Sequence, residues 1–184
     1  MTLREWGELP DDVAGEWVDG VLEEEELTTE VHDGIAGLLF AVLFGYFRPR
    51  GGFVFLPDRK YAVSRGRGRK PDVSVFFPGR KGLTGRARLT PVPPDIAVEV
   101  ITPTPRDQRR DRVDKRRDYA RFGVRWYWLV DPSARTVEIL ELGPKGYTHV
   151  ADGDSGRLRV PGCRGLVIDL DDLWREAERL ARQP

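Results

Sequence analysis

The sequence predicts an α+β domain of the α/β class, and three observations carry that prediction. Residues 28–47 and 105–122 hold apolar side chains at helical spacing between recognisable caps, six short runs rich in Val, Ile, Phe, Tyr and Trp lie around them, and an amphipathic "LDDLWREAERLARQ" closes the chain. At 184 residues, with 40% hydrophobic and 33% charged residues, the chain has the size of one domain spanning 1–184. It can bury a core without disulfides or a structural metal.

The elements follow in order. The start, "MTLREWGELPDD", lacks the basic residues and apolar run of a signal peptide, and no uninterrupted apolar span of membrane length is evident. A cytoplasmic protein with no membrane partner is expected. "GEWVDGVLEEEEL" reads as a β-hairpin, since Asp19-Gly20 suits a tight turn that needs positive φ. Thr28 or Thr29 can cap the next helix, whose positions Ile35, Leu38, Leu39, Val42 and Leu43 mark a core element of roughly five turns ending before Gly51-Gly52. Strands are expected at 53–56, 60–64, 72–77, 95–101, 125–130 and 136–142, with "RGRGRK" and "PGRKGLTGRARLTPVPP" as mobile basic loops. Thr104 then caps a helix over 105–122: Pro105 suits its first position, Asp107 its first turn, and Gly123 a left-handed end.

Composition narrows the chemistry. One cysteine, Cys163, excludes an internal disulfide and a Cys-cluster zinc site, and two histidines, His32 and His149, exclude a His-rich metal site. Any metal needs oxygen ligands. Asn is absent and Gln occurs only at 108 and 183, which, with abundant Arg and Pro, suggests a thermophilic source. Formal charge sums to zero but is polarised: residues 1–33 carry twelve acidic against one basic side chain, and residues 48–88 carry twelve basic against two acidic. Three readings stay open: a basic surface for a polyanion, charge matching across a homodimer, and a solvated, internally balanced surface.

The most informative stretch is "PPDIAVEVITPTP". Alternation places Ile96, Val98 and Val100 on one face of a strand, and Asp95, Ala97, Glu99 and Ile101 on the other. In "KPDVSVFF" the same alternation puts Asp72 with Ser74 and Phe76. An ionised carboxylate in an apolar run costs several kcal/mol unless it has a partner. Were the two strands neighbours, one cation could serve both acids; Mg²⁺ (or Mn²⁺), which takes one or two carboxylates plus waters and phosphates, matches that donor set. On the 105–122 helix, Asp111, Lys115, Tyr119 and Phe122 form one stripe. Lys115 can pair with Asp111 on the surface, or lay its stem on the sheet and bring its ammonium to the acids.

At these residues the chain resembles a known family. "PDVSVFF" and "PPDIAVEVITPTPRDQRRDRVDKRRDYARFGVRWYWLVDPSARTVEILEL", with the earlier "EWVDGVLEEE" and His32, are similar to the motifs of the Uma-two family of restriction-like endonucleases, in the PD-(D/E)xK nuclease superfamily. The similarity spans about residues 16–142. It implies a restriction-endonuclease-like fold, a mixed central β-sheet flanked by helices with an N-terminal hairpin. It also implies Mg²⁺-dependent hydrolysis of DNA, with Asp72 and Glu99 as catalytic metal ligands. The superfamily's lysine two residues after the glutamate is replaced by Ile101, and in this family a helix lysine, matching Lys115, takes its role.

Simpler accounts stand beside these. Asp72 and Asp95 could each cap a turn after a proline. Glu16 could add a carboxylate to the site or be a solvated hairpin residue, and His32 could assist the site or be a surface or capping histidine. Arg65, Arg67, Arg69 and Lys70 could contact DNA phosphates or form a merely soluble loop. Trp126 and Trp128, on one strand face, are expected in the core. The alternative to an endonuclease is a catalytically silent nucleic-acid- or partner-binding module that retains the fold, a reading Ile101 favours.

Overall fold

A computed structural model describes residues 1–10, 13–23, 28–83 and 87–182. Helix α1 (Leu3–Glu8) precedes the hairpin of β1 (Glu16–Val18) and β2 (Val21–Glu23), and helix α2 (Glu30–Phe47) follows. A 3₁₀ turn at Arg48–Arg50 leads to β3 (Phe53–Phe55), β4 (Lys60–Ser64), β5 (Arg67–Arg69), β6 (Val73–Phe76), β7 (Leu89–Thr90) and β8 (Ile96–Val100). Next comes one continuous helical stretch: α3 (Pro105–Arg109), a π-helical turn at Arg110–Lys115, and α4 (Arg116–Phe122). The chain ends in β9 (Trp126–Asp131), β10 (Thr136–Gly143), β11 (Gly146–Gly153), β12 (Arg157–Arg159), β13 (Val167–Asp169) and α5 (Leu170–Ala181).

Local chemistry explains the boundaries. Asp19 and Gly20 take φ of 48° and 92°, the two positive values a tight hairpin turn requires, so Val18 pairs with Val21. The acidic run after this turn, residues 24–27, lies outside the described residues, as do 84–86 of the expected second basic loop. The Thr29 side chain accepts from the His32 N–H at the start of α2, and that of Thr104 accepts from the Asp107 N–H. Gly123 ends α4 at φ 93°.

A six-stranded sheet, ordered β11-β10-β9-β8-β6-β3, forms the centre; β8 runs parallel to β9 and the other neighbours are antiparallel. The α3–α4 stretch connects the parallel pair, the connection such a pair requires. One face of the sheet packs on α2 and α5 through Ile35, Leu39, Val98, Trp128 and Trp174. Trp126 and Trp128 are core residues, as their strand position predicts. The opposite face carries Ala97, Ile101, Tyr127 and Leu129 against α4 and β4. A second sheet, β2-β1-β5-β4-β7, lies beside it.

Two readings of the sequence need correction. "RGRGRK" is not a free loop but contains β5, paired with both β1 and β4. Its glycine has a packing reason, because a Cβ on Gly68 would sit 2.5 Å from the Trp6 ring. The second correction concerns α2 with its following turn, Glu30–Arg50, which is long and apolar enough to cross a bilayer by length and composition alone. Here Ile35, Leu39, Leu43 and Phe47 from this helix lie in the core of the sheet.

Candidate active site

Glu99 lies mid-strand on the α4 side of the large sheet and is 2% exposed. The register pairs Val73 with Val98, so continuing it outward sets Asp72, just before β6, opposite Glu99 of the neighbouring strand. Asp72 sits at the entrance to β6, where its Oδ2 accepts the Val100 N–H at 2.7 Å. That bond fixes the carboxylate at the sheet rather than at a turn. Asp95, in contrast, serves a local role: its carboxylate accepts the Phe77 N–H at 2.7 Å and pairs with Arg80 at 3.1 Å.

Lys115 is buried, not a surface partner. Its Nζ donates to Glu99 Oε2 at 2.8 Å and stands 3.5 Å from both Glu16 Oε1 and Asp111 Oδ1. Tyr119, one turn on, donates its hydroxyl to Glu99 Oε1 at 2.7 Å. Asp111 and Lys115 both belong to the π-helical turn, and the Tyr127 hydroxyl donates to the Asp111 carbonyl there at 2.9 Å. Widened turns of this kind recur at functional sites. Ile101 is buried among apolar neighbours and supplies no charge.

The electrostatics are unequal among the acids. Burial pushes Glu16 up, but Lys115, the Arg69 guanidinium and the Lys70 N–H outweigh it and hold the carboxyl down at about 2. Glu99 goes the other way: burial raises it well above the carboxylate range, Lys115 opposes that, and the charges of Asp72, Asp111 and Glu16 add to it. Asp111 is raised by burial too, against Lys115 and Arg110. Lys115, despite burial, is held well above its ordinary value by Glu16, Glu99 and Asp111, so it stays an ammonium. Burial alone would lower His32, but its bonds to Asp72 and Asp33 raise it to about 9.

These acids offer oxygen donors alone, the set a hard divalent ion prefers. Among the described residues no three His, Cys, Asp or Glu side chains form a ready metal cage. An ion here would have to be held by one or two carboxylates, and the Glu99 carboxyl is raised first by burial and only then by its acidic neighbours.

Several side chains lie elsewhere than the simpler sequence readings place them. Glu16 is 1% exposed and inside the cluster, with Oε2 accepting from Arg69 at 2.7 Å and Oε1 from the Lys70 N–H at 2.8 Å. His32 is no surface residue; its Nε2 lies 3.2 Å from Asp72 Oδ2 and its Nδ1 3.1 Å from Asp33. Arg69, for which the sequence leaves open a DNA-phosphate contact or a soluble loop, is 2% exposed and bonded to Asp118 at 2.6 Å as well as to Glu16. Lys70 is also buried, its Nζ 3.7 Å from Asp58. Arg67 keeps partial exposure while pairing with Asp19 at 2.5 Å, and Arg65 is exposed. The acidic N-terminal segment and the basic 48–88 segment thus meet within one chain. In the sequence Asp111 and Tyr119 stand as stripe members, Asp111 also as a surface partner for Lys115; their i, i+4 spacing with Lys115 is the signal for a place at the site.

A family model described as "Uma2: Putative restriction endonuclease" matches residues 3–171. The fold is also similar to a crystal structure described as "a putative nuclease belonging to DUF820" from Anabaena variabilis, with a TM-score of 0.77 and 21% identity over 96% of this chain and 99% of that one. No curated protein matches the chain.

Proposed function

The chain belongs to the Uma2 family, described as "Putative restriction endonuclease", and from that premise we propose that it is a divalent-metal-dependent endonuclease that hydrolyses DNA phosphodiester bonds. The observation that carries this reading is the convergence of Asp72, Glu99 and Lys115 from two strands and a helix, with Lys115 Nζ 2.8 Å from Glu99.

Asp72 and Glu99 would hold Mg²⁺ or Mn²⁺. When bound, such an ion supplies Lewis-acid polarisation of a phosphoryl oxygen and a more acidic water. Water adds to phosphorus, the bond to the leaving oxygen breaks, and the products are a phosphomonoester and an alcohol. Lys115, whose acidic neighbours favour the ammonium, would act through that charge, orienting water and neutralising charge that develops on phosphate. His32 positions Asp72 by hydrogen bonding to Oδ2. Glu16, tied down by Arg69 and the Lys70 N–H, fixes the other side of the ammonium.

The test is cleavage of supercoiled plasmid with Mg²⁺ or Mn²⁺. Wild type should nick it, and Asp72→Asn, Glu99→Gln and Lys115→Met should each lose at least about 10²-fold in rate. Equal activity in Glu99→Gln, or none in wild type with either ion, refutes the reading. A second reading, the silent binding module, is favoured by the ammonium that already closes the cluster; it predicts DNA binding with no carboxylate-dependent Mn²⁺ affinity.

A further inference from the structure

A cleft of about 320 Å³ opens beside the acid cluster, lined by Arg67, Arg69, Arg106, Arg109 and Arg110, with Val18, Glu23 and Asp114 completing its wall. Five guanidiniums face two carboxylates. We propose that this cleft seats the sugar-phosphate backbone of the DNA substrate, an inference that rests on the nuclease reading and assigns the leading phosphate-binding role to the α3 arginines, beside Arg67 of β5.

Three features support it. Arg106, Arg109 and Arg110 stand at i, i+3 and i+4, so they form one stripe along the start of the α3 stretch. Arg106 and Arg109 are exposed, and Arg109 has no ion-pair partner among the described residues. Arg110 is tethered by Asp107 at 2.7 Å, and Arg67 by Asp19 and Asp118, so these two guanidiniums are held in place at the cleft while leaving other donors for a ligand. Planar guanidinium forks match phosphate oxygens in pairs.

The cleft also shares a wall with the proposed catalytic group. Buried Arg69 forms its floor and bonds Glu16 Oε2, and the other oxygen of that carboxylate lies 3.5 Å from Lys115 Nζ. A strand held by the stripe would therefore bring a neighbouring phosphate toward Glu99 and Asp72. Arg175 and Arg179 of α5, paired at i,i+3 to Asp172 and Glu176, lie outside the cleft and supply a control.

The experiment is fluorescence anisotropy with a short labelled duplex and Ca²⁺, repeated across salt concentrations. The double variant Arg106→Ala/Arg109→Ala should weaken binding about tenfold or more and flatten the slope of log K against log salt by about 2. Arg109→Glu alone should weaken it as well, and Mn²⁺ binding to the full-length protein should be unchanged in both. Arg175→Ala/Arg179→Ala should bind like wild type. The inference is overturned if the double variant and Arg109→Glu bind DNA as wild type does, if the α5 control loses as much, or if wild type binds no duplex. A chain that binds DNA through the stripe yet cleaves none keeps this inference and refutes the hydrolytic reading, so the two failures are distinguishable.

Discussion

Replacing Lys115 by Met removes the side-chain ammonium that, among the described residues, reaches Glu99, and it leaves three buried carboxylates without that partner. At an effective dielectric of about 20, a unit charge at 2.8 Å interacts by about 6 kcal/mol and at 3.5 Å by about 5, before the desolvation that offsets most of it. Breaking such a buried pair from one side costs about 3–5 kcal/mol net, and that is the loss expected for Lys115→Met. Glu99→Gln should cost far less, about 1 kcal/mol, because Glu16 and Asp111 remain beside the ammonium and Tyr119 still has an acceptor. Lys115→Met/Glu99→Gln should recover part of the single Lys115 loss. Urea unfolding of all four proteins in EDTA measures the cycle. The pH dependence has a definite sign. In Lys115→Met the Glu99 carboxyl, already raised by burial and its acidic neighbours, rises further, so the folded state takes up a proton and the defect shrinks as pH falls. A Lys115→Met cost under about 1 kcal/mol, or one equal to that of Glu99→Gln, would refute the assignment of Lys115 as the hub of the cluster.

Three further outcomes are expected. Arg69→Lys should destabilise by about 2–3 kcal/mol in urea unfolding, because one ammonium cannot bridge Glu16 and Asp118 as the guanidinium does; wild-type stability would show that the bridge contributes nothing. His32 has a folded value near 9 against an ordinary 6.5, so its contribution is fully present below 6.5 and lost as pH rises through 9. Metal-free protein should lose stability over that window and His32→Gln should lose the dependence; an unchanged slope in the variant contradicts the Asp72 contact. Cys163 is buried with its thiol pushed up to about 11, so iodoacetamide at pH 8 should label it slowly in folded protein and rapidly in urea; rapid native labelling would contradict that burial.

How far the sequence reaches depends on the range of the interactions involved. Alternation placed Glu99 and Ala97 on one face and Val98 on the other, because side-chain direction in a strand is a local property, and the capping residues at Thr104, Pro105 and Gly123 are local signals as well. Lys115 was within reach of the same reasoning through helical spacing. The partners of Glu16 and Arg69 were not: their bond spans 53 residues and forms only because β1 pairs with β5. "RGRGRK" has the composition of a loop, and only the Trp6 ring lying against Gly68 explains why it is a strand. His32 occupies the first turn of a helix, where capping is the ordinary explanation, and nothing in the residues near it signals Asp72, forty positions away. Charge composition likewise shows how many arginines there are but not which are buried, so Arg69 and Arg109 look alike in the sequence and differ wholly in the fold.

The account's central claim is that Asp72 and Glu99 jointly hold a hard divalent cation beside the Lys115 ammonium. Calorimetric titration of metal-free protein with Mn²⁺ tests it most directly. One ion should bind per chain in wild type, Asp72→Asn and Glu99→Gln should each lose that binding, and Lys115→Met should keep it or bind more tightly while failing to cleave DNA. Unaltered Mn²⁺ binding in both carboxylate variants would contradict the claim.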